Sequence, residues 1–134
     1  MLILCRTSNP GAGDLQDLPV GGRPLYQVVA ELAARRWNAR GNCLLVVGAT
    51  YPRELAEVRA LVGDMPLLVP GVGAQGGDVE QVVKSGRTHA GTGLIVSSAR
   101  ALLYASQGTD FAPAARAATD RLRDRINASR RATP

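Results

Sequence analysis

Lysine is almost missing from this sequence. Of its sixteen lysine and arginine residues only Lys84 is a lysine, so a reaction that needs an ammonium group must use that one or take it from another polypeptide. Histidine is as scarce: His89 stands alone, in the polar stretch Arg87-Thr-His-Ala-Gly-Thr92, and reads as a surface residue rather than an acid or base. Aromatic residues make up 4% of the chain, too few to build the stacking platform of a single-strand nucleic-acid binder. No run approaches the roughly 18 to 20 uncharged apolar residues that a membrane helix needs. The N-terminal MLILCRTSNP has no basic segment ahead of its short apolar stretch. The expectation is a cytoplasmic protein without a membrane partner. Cysteine is rare too, and Cys5 and Cys43 each sit inside an apolar run, where free buried thiols are the ordinary outcome in a reducing compartment.

What is present is a core. At 134 residues and 46% hydrophobic content, the chain suits one domain over residues 1–134. The formal charge of +5 raises the question of nucleic acid, but the basic residues are dispersed. Only Arg121, Arg123, Arg125, Arg130 and Arg131 cluster, on a terminal helix that also carries Asp120 and Asp124. That pattern is a solvated helix face, with a basic tail expected to fray from about residue 128, and no nucleic-acid partner is implied.

Apolar runs alternate with helical patterns from end to end. Strands are expected at about residues 2–6, 43–47, 66–69 and 93–96. A Gly/Pro-rich loop follows the first, and then a helix from about Pro24 to Trp37, whose inner face is predicted to be Leu25, Val28, Val29, Leu32 and Ala33. Thr50 is placed to cap the next helix, with Pro52 in its first turn and Leu55, Val58 and Val62 inward. Asp78, with Gln81 three residues on, looks like a capping box opening a third helix. The closing helix, about Phe111 to Arg130, is expected to bury Phe111, Ala115, Ala118, Leu122 and Ile126. The result is β-α four times over, with continuous apolar strands as in a parallel sheet covered on both faces. A (β/α)8 barrel takes about 250 residues, so four units match half of one, although the count alone also allows a small open sheet.

Two places carry chemistry. Gly71-Val-Gly-Ala-Gln-Gly76 fits G-x-G-x-x-G between a strand and a helix. A dinucleotide-binding loop would want an acidic residue about 20 positions on, at the end of the next strand. Val96, Ser97 and Ser98 stand there instead. The better reading is a phosphate cup, in which glycines let backbone N–H groups approach an anion and a helix N-terminus adds donors. One unit later Ser97 and Ser98 precede a short helix whose first turn holds Arg100, suited to bidentate phosphate contact. Loops after two consecutive barrel strands, with an extra short helix, are where such barrels hold phosphate.

Four stretches, in order, then resemble one family. Val69-Pro-Gly-Val-Gly-Ala-Gln-Gly-Gly-Asp78 is similar to the seventh-strand signature of orotidine 5′-phosphate decarboxylases. Arg6-Thr-Ser-Asn-Pro-Gly-Ala12 resembles the loop after their fifth strand, Val46-Val-Gly-Ala-Thr-Tyr-Pro52 the sixth, and Ser97-Ser-Ala-Arg-Ala-Leu-Leu-Tyr-Ala-Ser106 the eighth, with wording nearest the type 2 branch. The resemblance implies the C-terminal half of a (β/α)8 barrel, carrying barrel strands five to eight, and a protein of pyrimidine synthesis working without cofactor or metal. It implies that Ser8 hydrogen-bonds the pyrimidine edge, that Gln75 bridges phosphate and base, and that Arg100 pairs with the phosphate. Gly71, Gly73, Gly76 and Gly77, with Ser98, would shape the cup, while Thr7 and Asn9 read as structural.

The departure from the family is as informative. The resemblance implies that loss of CO2 from orotidine 5′-phosphate, giving uridine 5′-phosphate, depends on a lysine and aspartates of the second and third strands, with one aspartate from a partner subunit. No stretch here matches them; Lys84 falls within a helix, and Asp14 and Asp17 have no lysine nearby in sequence. No catalytic residue is therefore assigned to this chain. The expected partners are orotidine or uridine 5′-phosphate, an N-terminal half-barrel and, because open strand edges recruit other chains, further copies. The alternative is a non-catalytic phosphate- or nucleotide-binding module on the same scaffold.

Overall fold

The computed structural model describes residues 1–73 and 77–132. Strand β1 (Leu2–Arg6) leads to a short helix α1 (Ala12–Gln16) and a two-stranded antiparallel hairpin, β2 (Pro19–Val20) and β3 (Arg23–Pro24). Helix α2 (Leu25–Leu32) follows and ends in a π-helical turn over Ala33–Trp37. Then come β4 (Leu44–Val47), α3 (Pro52–Val62), β5 (Leu67–Pro70), α4 (Val79–Gly86), β6 (Leu94–Ser97), α5 (Arg100–Leu103) and α6 (Phe111–Arg131). The four long strands form one parallel sheet in the order β1-β4-β5-β6. Each new strand joins the outer edge of the last, which is how a barrel wall grows.

The register explains the two faces. Ile3, Leu45, Leu67 and Leu94 lie in one row across the sheet, and Leu4, Val46, Leu68 and Ile95 in the next. The first row faces the helices: Leu45 and Leu67 are fully buried there with Leu55, Val58, Val82 and Val83. On the other face Leu4 is 68% exposed and Ile95 49%. Apolar side chains on a bare face are a cost that a complete barrel interior would remove. The total surface agrees: 8005 Å², against roughly 6,700 Å² for a compact monomer of this mass. Among the described residues β1 pairs only with β4, and β6 only with β5, so each end of the sheet keeps an open edge.

Several sequence expectations need correction. The hairpin and α1 lie where only a loop was expected. In α2 the buried positions are Tyr26 and Ala30; of the expected inner face Ala33 is buried, while Leu25, Val28, Val29 and Leu32 are only half-buried, so the helix is rotated from the face expected. The reason is Tyr26, whose ring is buried while its hydroxyl bonds the Glu57 carboxylate on α3. That bond, after burial itself, pushes the Tyr26 phenol up to about 12 and holds Glu57 below the usual carboxylate range. Thr50 is not a cap: Tyr51 occupies that position, and no side chain bonds the first turn of α3. Helix α6 fully buries none of its residues, and Phe111 is 63% exposed. Only Leu122 and Ile126 pack against the core from it. The helix continues to Arg131, past the point where fraying was expected.

At the N-terminal end of the strands Arg59 joins four carbonyls. Its guanidinium donates to Gly86 O at 2.7 Å, Met65 O at 2.7 Å, Gly93 O at 2.9 Å and Gly63 O. This half-buried cation ties the ends of α3 and α4 to the start of β6. Conserving such an end of a barrel concerns stability, since ligands bind at the opposite one.

Candidate functional site

All the residues singled out for chemistry and described by the structure fall at the C-terminal ends of the sheet. Ser8 follows β1, Gly71 and Gly73 follow β5, and Ser98 and Arg100 follow β6. The strand ends are laced sideways. Gly48 N donates to Arg6 O at 2.8 Å, Ala49 N to Pro70 O at 2.9 Å, and Gly71 N to Ser97 O at 3.2 Å. Gln75 and Gly76 lie outside the described residues.

The glycine loop is shaped by its sequence. Gly71 and Gly73 have φ of 95° and 84°, a region that residues with a Cβ rarely enter. The loop folds back on itself through Gly73 N to Gly77 O at 3.1 Å and a bridge between Val72 and Gly77. A Cβ on Gly77 would lie 2.5 Å from the Ala49 Cβ and 2.9 Å from Gly71 O, so only glycine lets this loop rest on the β4 loop. Ser98 then ties β6 to it by donating its hydroxyl to Val72 O at 2.9 Å.

Asp78 caps α4 as the sequence led one to expect, accepting from Glu80 N at 2.8 Å and Gln81 N at 3.1 Å, so these two donors of the first turn are not open to an anion. Those backbone bonds hold the Asp78 carboxyl below its ordinary range. The helix already has its anion. What remains is a cleft of about 110 Å³ between the two loops, lined by Pro70, Gly71, Val72, Ser97, Ser98, Ala99 and Arg100. Pockets that enclose a whole small molecule run to about 300 to 1,000 Å³, so this cleft suits one charged group of a ligand and leaves the rest outside it. A larger cleft of about 360 Å³, lined by Val83, Arg87, Gly93, Leu94 and Arg130 among others, lies at the opposite end of the strands.

Around Ser8 the structure adds residues that sequence reading did not assign. A register shift in β1 between Leu4 and Arg6 brings Arg6 beside Val47. Arg6 is 4% exposed; its guanidinium bonds Asp17 at 3.0 Å, Gln16 at 3.3 Å and Thr7 O at 3.0 Å, and lies over the Tyr51 ring, 4.4 Å from its centre. Lys84 is exposed in the last turn of α4, away from the strand C-termini, and His89 is exposed in the loop before β6.

Comparison with known proteins fits these features. No sequence-family model matches the chain. It is 65% identical over 130 residues to the orotidine 5′-phosphate decarboxylase of Azoarcus sp. strain BH72, covering 97% of this chain and 48% of the relative. The corresponding protein of Cellvibrio japonicus is 64% identical over 129 residues, covering 96% and 47%. Among solved structures, the Leishmania donovani OMP decarboxylase superposes with a TM-score of 0.85 at 42% identity, over 98% of this chain and 48% of that one. The Leishmania donovani UMP synthase gives 0.84 at 44% identity, over 98% and 28%. The chain thus spans about half the length of the curated relatives it matches.

Four parallel βα units with a largely apolar face open at both edges and a small cleft between the last two strand ends are half of a (β/α)8 barrel. In sequence and fold the chain corresponds to the C-terminal half of an orotidine 5′-phosphate decarboxylase.

Proposed function

We propose that this chain is the substrate-gripping half of an orotidine 5′-phosphate decarboxylase. The observation that carries the reading is the cleft between Gly71 and Arg100, placed at the strand C-termini in a chain 65% identical to a decarboxylase. In it Arg100 takes the 5′-phosphate; Gly71 and Gly73, whose N–H groups are bonded to Ser97 O and Gly77 O, shape the cup rather than donate to it; Ser98 holds the two loops together; Ser8 reads the pyrimidine edge through a hydroxyl that both donates and accepts. Gln75 bridges phosphate and base, and Gly76 completes the loop.

The reaction itself is loss of CO2 from C6 of the pyrimidine, followed by protonation of that carbon. This half supplies binding energy remote from the reacting carbon, which holds the substrate against groups that stabilise the developing carbanion. Those groups, a lysine and aspartates, belong to the N-terminal half-barrel. Lys84 cannot stand in for them, being exposed at the far end of α4. The row of Leu4, Val46, Leu68 and Ile95, exposed at its two ends, Leu4 and Ile95, is where the facing half packs, and the open edges of β1 and β6 are where it pairs. No described helix is long and apolar enough to cross a membrane. The buried free thiols of Cys5 and Cys43 support a place in the reducing cytoplasm.

The test is complementation. The chain is mixed with, or expressed beside, the N-terminal half of the Azoarcus relative, and loss of the orotate chromophore is followed. Turnover in the mixture supports the reading; nucleotide binding without turnover favours a non-catalytic module.

A further inference from the structure

Ser8 is held oddly for a residue without a partner. It makes no hydrogen bond with any described residue, yet everything around it is fixed. Thr7 is gripped by the Gln16 side chain from two directions. Thr7 N donates to Gln16 Oε1 at 2.8 Å, and Gln16 Nε2 donates to Thr7 Oγ1 at 3.0 Å. Thr7 Oγ1 in turn donates to Asn9 Oδ1 at 2.6 Å. On the other side stands Gly48. A Cβ there would lie 3.0 Å from Ser8 Cβ, 3.2 Å from Ser8 N and 3.2 Å from Ser8 Oγ. Gly48 does not have the positive φ that would itself call for glycine; the space is what calls for it. Its N–H is committed to Arg6 O at 2.8 Å, so it cannot retreat without breaking the lacing of β1 to β4.

We infer that Gln16 and Gly48 are positioning residues for Ser8: Gln16 clamps the preceding residue, and Gly48 leaves a bare backbone seat against which the Ser8 hydroxyl stays aimed at its ligand. The inference rests on the reading of Ser8 as the pyrimidine contact. Neither residue touches the ligand. Pre-organising a serine whose hydrogen bonds are made only to ligand lowers the ordering cost on binding, and a shift of a few tenths of an ångström weakens a directional hydrogen bond.

The experiment measures binding of uridine 5′-phosphate and of ribose 5-phosphate, which lacks the base, to this chain assembled with the Azoarcus N-terminal half. Ser8→Ala is the reference. Gly48→Ala and Gln16→Met should each weaken uridine 5′-phosphate by about three- to tenfold and leave ribose 5-phosphate within about twofold. Against a Ser8→Gly background, Gly48→Ala should cost less than about twofold more, because the Cβ and Oγ it would crowd are gone and only the backbone N of residue 8 remains close. Equal weakening of both ligands, full additivity with Ser8→Gly, or loss of folding in both variants would mean a general structural role and overturn the inference. If Ser8→Ala has no effect on uridine 5′-phosphate, the reading of Ser8 fails first and the inference falls with it.

Discussion

The Ser98 hydroxyl donates to the carbonyl of Val72 at 2.9 Å, so the loop after β6 is fastened to the glycine loop after β5 just before Arg100 leaves the chain. This bond aligns two segments 26 residues apart in sequence and makes one cleft of them.

Arg100 is therefore expected to act on phosphate alone. In the assembled protein Arg100→Ala should weaken uridine 5′-phosphate by about 1.5 to 3 kcal/mol, the usual range for a lost charged hydrogen bond. Uridine, which has no phosphate, should bind as before. Titration calorimetry with both ligands decides, and equal loss for the two would remove Arg100 from the cleft's chemistry.

Arg59 is expected to matter for stability. Arg59→Met strips four carbonyls of one donor group and should cost about 3 kcal/mol or more in denaturant unfolding. Arg59→Lys should recover only part of it, because a single ammonium cannot span the acceptors that a planar guanidinium fork reaches. A cost below about 1 kcal/mol for the methionine variant would show that the carbonyls find water instead.

How much was legible in sequence follows from what is local. The four long strands were readable because each is a continuous apolar run, and the glycine loop because its spacing is its geometry. Asp78 was readable as a cap, yet the same carboxylate closes the helix N-terminus to a ligand, a consequence that needs the bonds to be seen. The clamp of Gln16 on Thr7 crosses nine residues, and the burial of Arg6 depends on Tyr51 and Asp17, so neither leaves a periodic signal. The hairpin strands are two residues each, too short for alternation to register. In α2 a tyrosine took an inner place that pattern reading gave to aliphatic residues.

Alkaline stability should follow Cys5 first. Burial pushes its thiol from 9.0 up to about 12, and its Sγ–H donates to Tyr26 O at 3.2 Å. A group whose folded pKa is raised contributes stability that is complete below its unfolded value and is lost as pH rises toward the folded one. The chain should therefore lose stability from about pH 9 upward, and Tyr26, raised from 10.0 to about 12, should add to the loss from about pH 10. In Cys5→Ala the decline should begin about one pH unit later. Thermal melts from pH 7 to 11 check this; an unchanged onset would mean the thiolate is accommodated in the fold.

On its own the 134-residue polypeptide should self-associate. The exposed row with Leu4 and Ile95, and the unpaired edges of β1 and β6, invite a second copy to pair last strand to first. Light scattering over a dilution series, with hydrogen exchange of the amides of residues 2–6 and 94–97, reads the outcome. A monomer at every concentration with both edges exchanging freely would show that the bare sheet is tolerated.

The most direct measurement is decarboxylation itself, followed by the fall of orotate absorbance, for the chain alone and for the chain with an N-terminal half-barrel. The chain alone should show no turnover, and the mixture should show turnover that Arg100→Ala reduces. Turnover by the chain alone that Lys84→Ala abolishes would contradict this, because the reaction centre would then lie in this half.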